Sequence, residues 1–88
     1  MHVNEAVRWA KSYVVELFKE EDISDVGMEA VDVDDSDMWI VTIGFSRPWD
    51  RNSGSVLGGQ ISRSYKDVRI RDEDGKILSM KDHSGLYV

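Results

Sequence analysis

The 88-residue sequence predicts a single α+β domain, residues 1–88, in which one N-terminal amphipathic helix packs on a four-stranded antiparallel β-sheet in the order α-β-β-β-β. Three observations lead to this prediction. Apolar residues recur at three- and four-residue steps before residue 21, the apolar spacing then changes to alternation, and Asp-rich turns separate the later segments. Short turns favour antiparallel pairing, because parallel strands need a long crossover connection.

The helix is predicted over about residues 4–21. Its apolar stripe consists of Val3, Ala6, Val7, Ala10, Tyr13, Val14, Leu17 and Phe18. Asn4 is a suitable N-cap, since its side chain can accept a hydrogen bond from an N–H of the first turn. The acidic run at residues 20–22 is unfavourable at the C-terminal end of the helix dipole and places the helix end near residue 21. Trp9 flanks the stripe, so we expect it to be partly buried at the helix edge.

The four strands are predicted over about residues 26–34, 38–46, 63–71 and 76–82. The first shifts its alternation at Ala30-Val31, where a β-bulge would account for the change. The last two are joined by a turn that ends in Asp74-Gly75, a typical hairpin sequence. The residues expected in the core are Leu17, Phe18, Val41, Ile43, Val68, Ile70 and Leu78.

The second face of the sheet, away from the helix, is expected to be more apolar than contact with solvent requires. It would carry Met38, Ile40, Thr42, Tyr65 and Ile77, with Val31 or Val33 from the first strand. One helix covers only one face. We therefore expect a second copy of the chain, or the long loop predicted between the second and third strands at about residues 47–61, to cover part of the second face.

The composition points to a cytoplasmic protein without a membrane segment. There is no cysteine, and small secreted domains commonly depend on disulfides. Charged residues interrupt the N-terminus where a signal peptide needs an apolar run, and no stretch approaches the roughly 20 apolar residues of a membrane span.

The charge argues against nucleic acid and suggests a basic partner. The chain carries 17 Asp and Glu against 11 Lys and Arg, a formal net charge of −6, whereas nucleic-acid binding depends on neutralising phosphates. Residues 16–37 contain ten acids and one base, Lys19. This segment is either a solvated flank or a surface for a basic partner, as in an immunity protein or antitoxin that neutralises a basic toxin.

The residue inventory gives no catalytic, cofactor or metal site. Nucleophilic catalysis would have to recruit His2 or His83, both near the chain ends, because there is no cysteine. The acidic turns lack the ligand spacing of a calcium loop, and the glycine-rich residues 54–60 lack the Lys-Ser/Thr of a phosphate-binding loop. We therefore expect a protein that is not an enzyme and that needs no cofactor.

A long loop over about residues 47–61 is the predicted interaction site. Antiparallel neighbours usually connect in two to five residues, so a connection of this length is often functional or disordered. The alternative to a recognition loop is a mobile loop whose Trp49 folds back over the sheet. Trp and Arg are enriched at binding hot spots. The candidate partner-binding residues are Arg47, Trp49, Arg51, Leu57 and Gln60.

Two segments, with the order of the elements, resemble a PepSY-type domain. They are residues 39–43 and residues 65–79, the latter an aromatic-led strand, an acidic-Gly hairpin and a short apolar strand. The helix on a sheet also resembles the cystatin-like fold and small bacterial proteins of the same layout. The resemblance implies a peptidase-regulating or protein-binding role.

Two features depart from these families. PepSY domains are generally exported or membrane-attached, whereas we expect no export signal in this sequence. Its Pro48-Trp49 lies between the second and third strands, at the opposite end of the sheet from the hairpin turns, and there is no Gln-x-Val-x-Gly hairpin. No cystatin inhibitory residue can therefore be carried over.

The leading interpretation is a non-catalytic protein-interaction module that binds another protein or forms a homodimer. The alternative is a small-molecule-binding or enzymatic cup between the helix and a curved sheet, lined by Tyr13, Trp39 and Phe45.

Overall fold

The computed structural model describes residues 1–48 and 63–83. The elements, in chain order, are α1 (Val3–Leu17), a 3-10 turn (Lys19–Glu21), β1 (Ser24–Val33), β2 (Met38–Ser46), β3 (Ser64–Arg71) and β4 (Ile77–Asp82). The strands form one antiparallel sheet in the order β1-β2-β3-β4, so each strand pairs with its neighbour in sequence. The predicted α+β architecture is confirmed. In the described part of the chain, no helix is long and apolar enough to cross a membrane.

The helix begins earlier and ends earlier than predicted. His2, not Asn4, is the N-cap, and its backbone N–H donates to Glu5 Oε1 at 3.1 Å as part of a capping box. The α-helix stops at Leu17 and continues only as the 3-10 turn. Asp22 then takes a left-handed conformation (φ 56°) that turns the chain toward β1.

The core lies between α1 and one face of the sheet, with α1 mainly over β1 and β2. Its fully buried residues are Ala6, Ala10, Val14, Val41, Ile43, Phe45, Val68 and Ile70. Two of the three buried helix residues are alanines, and their small side chains let the helix backbone approach the sheet closely. The larger strand side chains supply most of the apolar volume.

Five of the seven predicted core residues pack in or against this core. Four are fully buried, and Phe18 is partly buried with its ring centroid 5.2 Å from that of Phe45. Leu17 and Leu78 were predicted wrongly, since they are 52% and 41% exposed. Leu17 is the last residue of the α-helix, and Phe18 packs in its place. A register shift in β4 pairs Ile77 with Ile70, so Ile77 packs on the core instead of Leu78.

The second face of the sheet, here called the open face, is more polar than predicted. Directly paired residues on neighbouring strands share a face. Val31 pairs with Val41, Val33 with Trp39 and Ile77 with Ile70, which places all three on the helix side. The open face keeps the other four predicted residues but also carries Asp32, Asp67, Arg69 and Arg71. The long loop was also predicted to cover part of this face, but its residues 49–61 lie outside the described residues.

Candidate functional site

Arg47 is the one predicted partner-binding residue that the structure describes, because Trp49, Arg51, Leu57 and Gln60 lie outside the described residues. The Arg47 side chain is only 18% exposed. Its guanidinium carbon lies 5.2 Å from the ring centroids of both Phe18 and Phe45, the distance of a cation–π contact.

Arg47 also makes two polar contacts with neighbouring side chains. Nε donates to Glu21 Oε1 at 2.8 Å, and Nη1 donates to Ser64 Oγ at 3.0 Å. Arg47 therefore joins the 3-10 turn to the adjoining ends of β2 and β3. This is an intramolecular role, and contact between Arg47 and a partner stays a prediction.

Arg63, the residue before β3, lies at the same end of the sheet as Arg47 but on the open face. Its Nη2 donates to the Asp25 carbonyl at 2.9 Å and lies 3.4 Å from Glu29 Oε2. A Cβ at Gly44 would lie 3.0 Å from Arg63 Nη2 and 2.9 Å from Glu29 Oε2, so glycine makes room for this ion pair. The two arginines thus fix the ends of β2 and β3 from opposite sides of the sheet.

A shallow, open groove of about 480 Å³ lies between α1 and the β3–β4 hairpin. It exists because α1 sits over β1 and β2, which leaves the helix side of β4 partly uncovered. The lining residues are Trp9, Ser12, Tyr13, Glu16, Asp74, Gly75 and Ile77. Trp9 and Tyr13 are four residues apart, so both project from the same side of the helix.

Gly75 positions the Trp9 ring in this groove. Gly75 has φ +72°, and a Cβ at this position would lie 2.0 Å from Trp9 Cζ3 and 2.7 Å from Cη2. The six-membered ring of Trp9 therefore occupies the space of the missing side chain. Trp9 nevertheless remains 39% exposed, as the sequence predicted for a residue at the helix edge. The groove thus has an aromatic wall held in place by the turn.

The rim of the groove carries two carboxylates. Arg71 Nε and Nη2 donate to Asp74 at 3.1 and 3.2 Å, and the Lys76 N–H donates at 3.1 Å. The Arg71 guanidinium, helped by the Lys76 N–H, holds the pKa of Asp74 below its usual value. Glu16 pairs with Lys19 at 2.9 Å on the exposed helix surface. Exposed ion pairs contribute little, so both acids can also accept a ligand cation.

Asp72 lies at the opposite end of the same hairpin turn, and its contacts stabilise the fold. Trp39 Nε1 donates to Asp72 Oδ1 at 2.8 Å, and the Met1 ammonium lies 3.3 Å from the same oxygen. The indole hydrogen bond, followed by that of the amino group, lowers the pKa of Asp72. This carboxylate connects the start of the chain to β2 and to the end of β3.

A polar triplet on the open face joins Thr42, Asp67 and His83. The Thr42 hydroxyl donates to Asp67 Oδ1 at 2.6 Å, and His83 Nδ1 lies 3.0 Å from both carboxylate oxygens. In a catalytic triad the nucleophile donates to the imidazole. Here the hydroxyl donates to the carboxylate, and Thr42 is only 6% exposed. The triplet therefore lacks the order of a hydrolytic relay.

No group of three or more His, Asp or Glu side chains within residues 1–48 and 63–83 is placed to hold a metal ion. Neither the groove nor the triplet was predicted from the sequence. The four-residue spacing of Trp9 and Tyr13 was a usable signal for the groove. The contact between Asp67 and His83 depends on strand register, which the sequence alone does not specify.

Comparison with protein-family models, with curated proteins and with solved structures gives no match for the chain. The resemblance to PepSY-type and cystatin-like domains therefore rests on the residues and on the order of the elements.

Proposed function

We propose that this chain is a non-catalytic protein-interaction module and that the groove between α1 and the β3–β4 hairpin receives a side chain of another protein. One observation carries the proposal: Trp9 is held against Gly75 and is still 39% exposed. A large aromatic side chain that is already ordered loses little entropy on binding, which is why Trp is common at hot spots.

The lining of the groove favours an apolar side chain next to a positive charge. Trp9, Tyr13 and Ile77 provide aromatic and aliphatic surface, and Glu16 and Asp74 provide negative charge at the rim. A lysine or arginine can place its methylene stem on an aromatic ring and its charged end near a carboxylate. The occupant would therefore be a segment with an aromatic or aliphatic residue beside Lys or Arg.

Selection from a library of short displayed peptides against the immobilised protein tests this proposal. We expect the selected peptides to combine an apolar residue with Lys or Arg. Their binding should weaken about 30-fold or more in Trp9→Ala, as for a typical hot-spot residue. Val15→Ala is the matched control, because Val15 is a 46%-exposed apolar residue of the same helix that does not line the groove.

A second pair of variants avoids any loss of packing. Glu16→Lys reverses the charge at the groove rim, and Glu20→Lys makes the same change at an exposed position that does not line the groove. We expect weaker peptide binding in Glu16→Lys alone. Equal binding by the wild type, Trp9→Ala and Glu16→Lys would refute the groove as the binding site.

Binding of a small molecule is the second candidate. The groove volume falls within the roughly 300–1,000 Å³ of ligand pockets, but such pockets usually enclose most of the ligand, whereas this groove is open. Phe45 is fully buried in the core, and Trp39 donates to Asp72. Of the three residues named for a cup, only Tyr13 lines the groove.

A further inference from the structure

The outer edge of β1 is a second surface, separate from the groove. β1 is the longest of the four strands, with ten residues, and it stands at the edge of the sheet. Among the residues that the structure describes, it pairs with β2 on one side only. The unpaired backbone groups of an edge strand can pair with an extended segment of another chain.

The register shows which backbone groups point outward. The Asp34 N–H donates to the Met38 carbonyl at 2.9 Å, and the same register pairs Asp32 with Ile40. Backbone direction alternates along an antiparallel strand, so the N–H and C=O groups of Val31 and Val33 point away from β2. Two bulges interrupt the pairing before Ala30, which leaves residues 30–33 as the regular part of the edge.

We infer that an extended segment of another protein, alternating aliphatic and basic residues, adds to the sheet along β1 at Val31 and Val33. The side chains opposite these two valines would lie on the helix side, where Val33 is 50% exposed and Val31 is half-buried. The intervening side chains would lie on the open face beside Asp32, which is exposed. The partner segment therefore alternates aliphatic side chains, which lie on the helix side, with basic side chains, which lie on the open face.

Charge favours a basic partner over a second copy of this chain. β1 contains Asp25, Glu29 and Asp32 and no Lys or Arg. Glu29 pairs with Arg63, whereas the carboxylates of Asp25 and Asp32 have no ion-pair partner within residues 1–48 and 63–83. Two copies paired edge to edge through β1 would bring like charges together across the new strand pair, which destabilises a sheet. Lys or Arg opposite Asp32 would have the reverse effect.

This inference shares with the proposed function only the premise that the chain binds another protein, since it uses different residues. The probe is the peptide Lys-Val-Lys-Val-Lys-Val-Lys, titrated into isotope-labelled protein and followed by amide hydrogen exchange. In the free protein we expect faster exchange at Val31 and Val33 than at Asp32. The peptide should protect Val31 and Val33 and change the exchange of Asp32 little.

The controls separate strand addition from general charge attraction. A peptide of the same composition with its lysines grouped before its valines should not protect Val31 or Val33. Asp32→Lys should weaken binding of the alternating peptide about tenfold, because a favourable cross-strand charge pair becomes a repulsive one. Asp35→Lys, in the exposed turn after β1, makes the same charge change away from the edge and should retain most of the affinity.

Val33→Pro removes an outward N–H without removing a bond to β2, so it should abolish protection at Val31 in a protein that remains folded by circular dichroism. The peptide also has the composition proposed for the groove, so the two sites are separated by the local readout: Trp9→Ala should leave the protection of Val31 and Val33 unchanged. Equal weakening by Asp32→Lys and Asp35→Lys would overturn the inference. Unchanged exchange at Val31 and Val33, or self-association through this edge, would also overturn it.

Discussion

Replacement of Gly75 by alanine tests the packing of Trp9 on the β3–β4 turn. The left-handed conformation at φ +72° costs an L-residue about 1–2 kcal/mol. The new Cβ would also lie 2.0 Å from Trp9 Cζ3, so the ring has to move. A partly buried Trp side chain buries on the order of 150 Å² of surface. Loss of about half of that contact costs about 2 kcal/mol at ~25 cal/mol per Å².

The expected total for Gly75→Ala is a loss of about 3–4 kcal/mol in the free energy of unfolding. For a domain of this size it corresponds to a fall in Tm of more than about 12 °C. Urea and thermal unfolding followed by far-UV circular dichroism measure both quantities. Gly27→Ala is the matched control, because a Cβ there meets no atom within 4 Å and should change stability by less than about 0.5 kcal/mol.

A double-mutant cycle separates the two costs of this substitution. In a Trp9→Ala background, Gly75→Ala should retain only the conformational cost of about 1–2 kcal/mol. The difference between the two backgrounds measures the steric conflict with the ring. An equal loss of stability in both backgrounds would refute the packing of Trp9 against Gly75.

Four further substitutions test the core, the sheet end and the acid response. Phe45→Ala should cost about 3–5 kcal/mol because Phe45 is fully buried, whereas Leu17→Ala should cost less than about 1 kcal/mol because Leu17 is 52% exposed; urea unfolding compares them. Arg47→Ala should cost about 1–3 kcal/mol through loss of two aromatic and two polar contacts, and similar stability to the wild type in thermal melts would contradict that role. The hydrogen bond from Trp39 holds the folded-state pKa of Asp72 below its usual value, so the stabilising contribution of Asp72 is present above that usual value and is lost as pH falls through the folded-state pKa. Asp72→Asn should therefore show a smaller loss of stability between pH 5 and pH 2 in acid titrations, and an unchanged loss would contradict this assignment.

Local patterns in the sequence predicted the fold closely. Alternation located β2 at residues 38–46 without error, and the turn at Asp74-Gly75 has the positive φ expected of glycine. The bulge expected at Ala30-Val31 lies slightly earlier in β1, as a register shift between Met28 and Ala30, whereas Ala30 and Val31 pair regularly with Thr42 and Val41. These features depend on short-range steric and hydrogen-bonding preferences, which neighbouring residues determine.

Features that depend on the placement of whole elements were not predictable. The helix lies off-centre on the sheet, and this offset decides that the groove exists. The register shift in β4 moves Ile77 to the helix side, against simple alternation. Arg47 was predicted to contact a partner because Arg is common in interfaces. Its contacts with Phe18 and Phe45 depend instead on where the chain leaves α1.

The unbroken strand order has a consequence for the folding pathway. Every strand pairs with the strand before or after it in sequence, and the β1–β2 and β3–β4 connections are short. Both hairpins can therefore form from nearby residues, and joining β2 to β3 is the step that closes a longer stretch of chain. The entropic cost of closing that loop grows slowly with its length, by about 0.6 kcal/mol for each doubling of loop length. Insertions or deletions between β2 and β3 should therefore alter the folding rate only modestly.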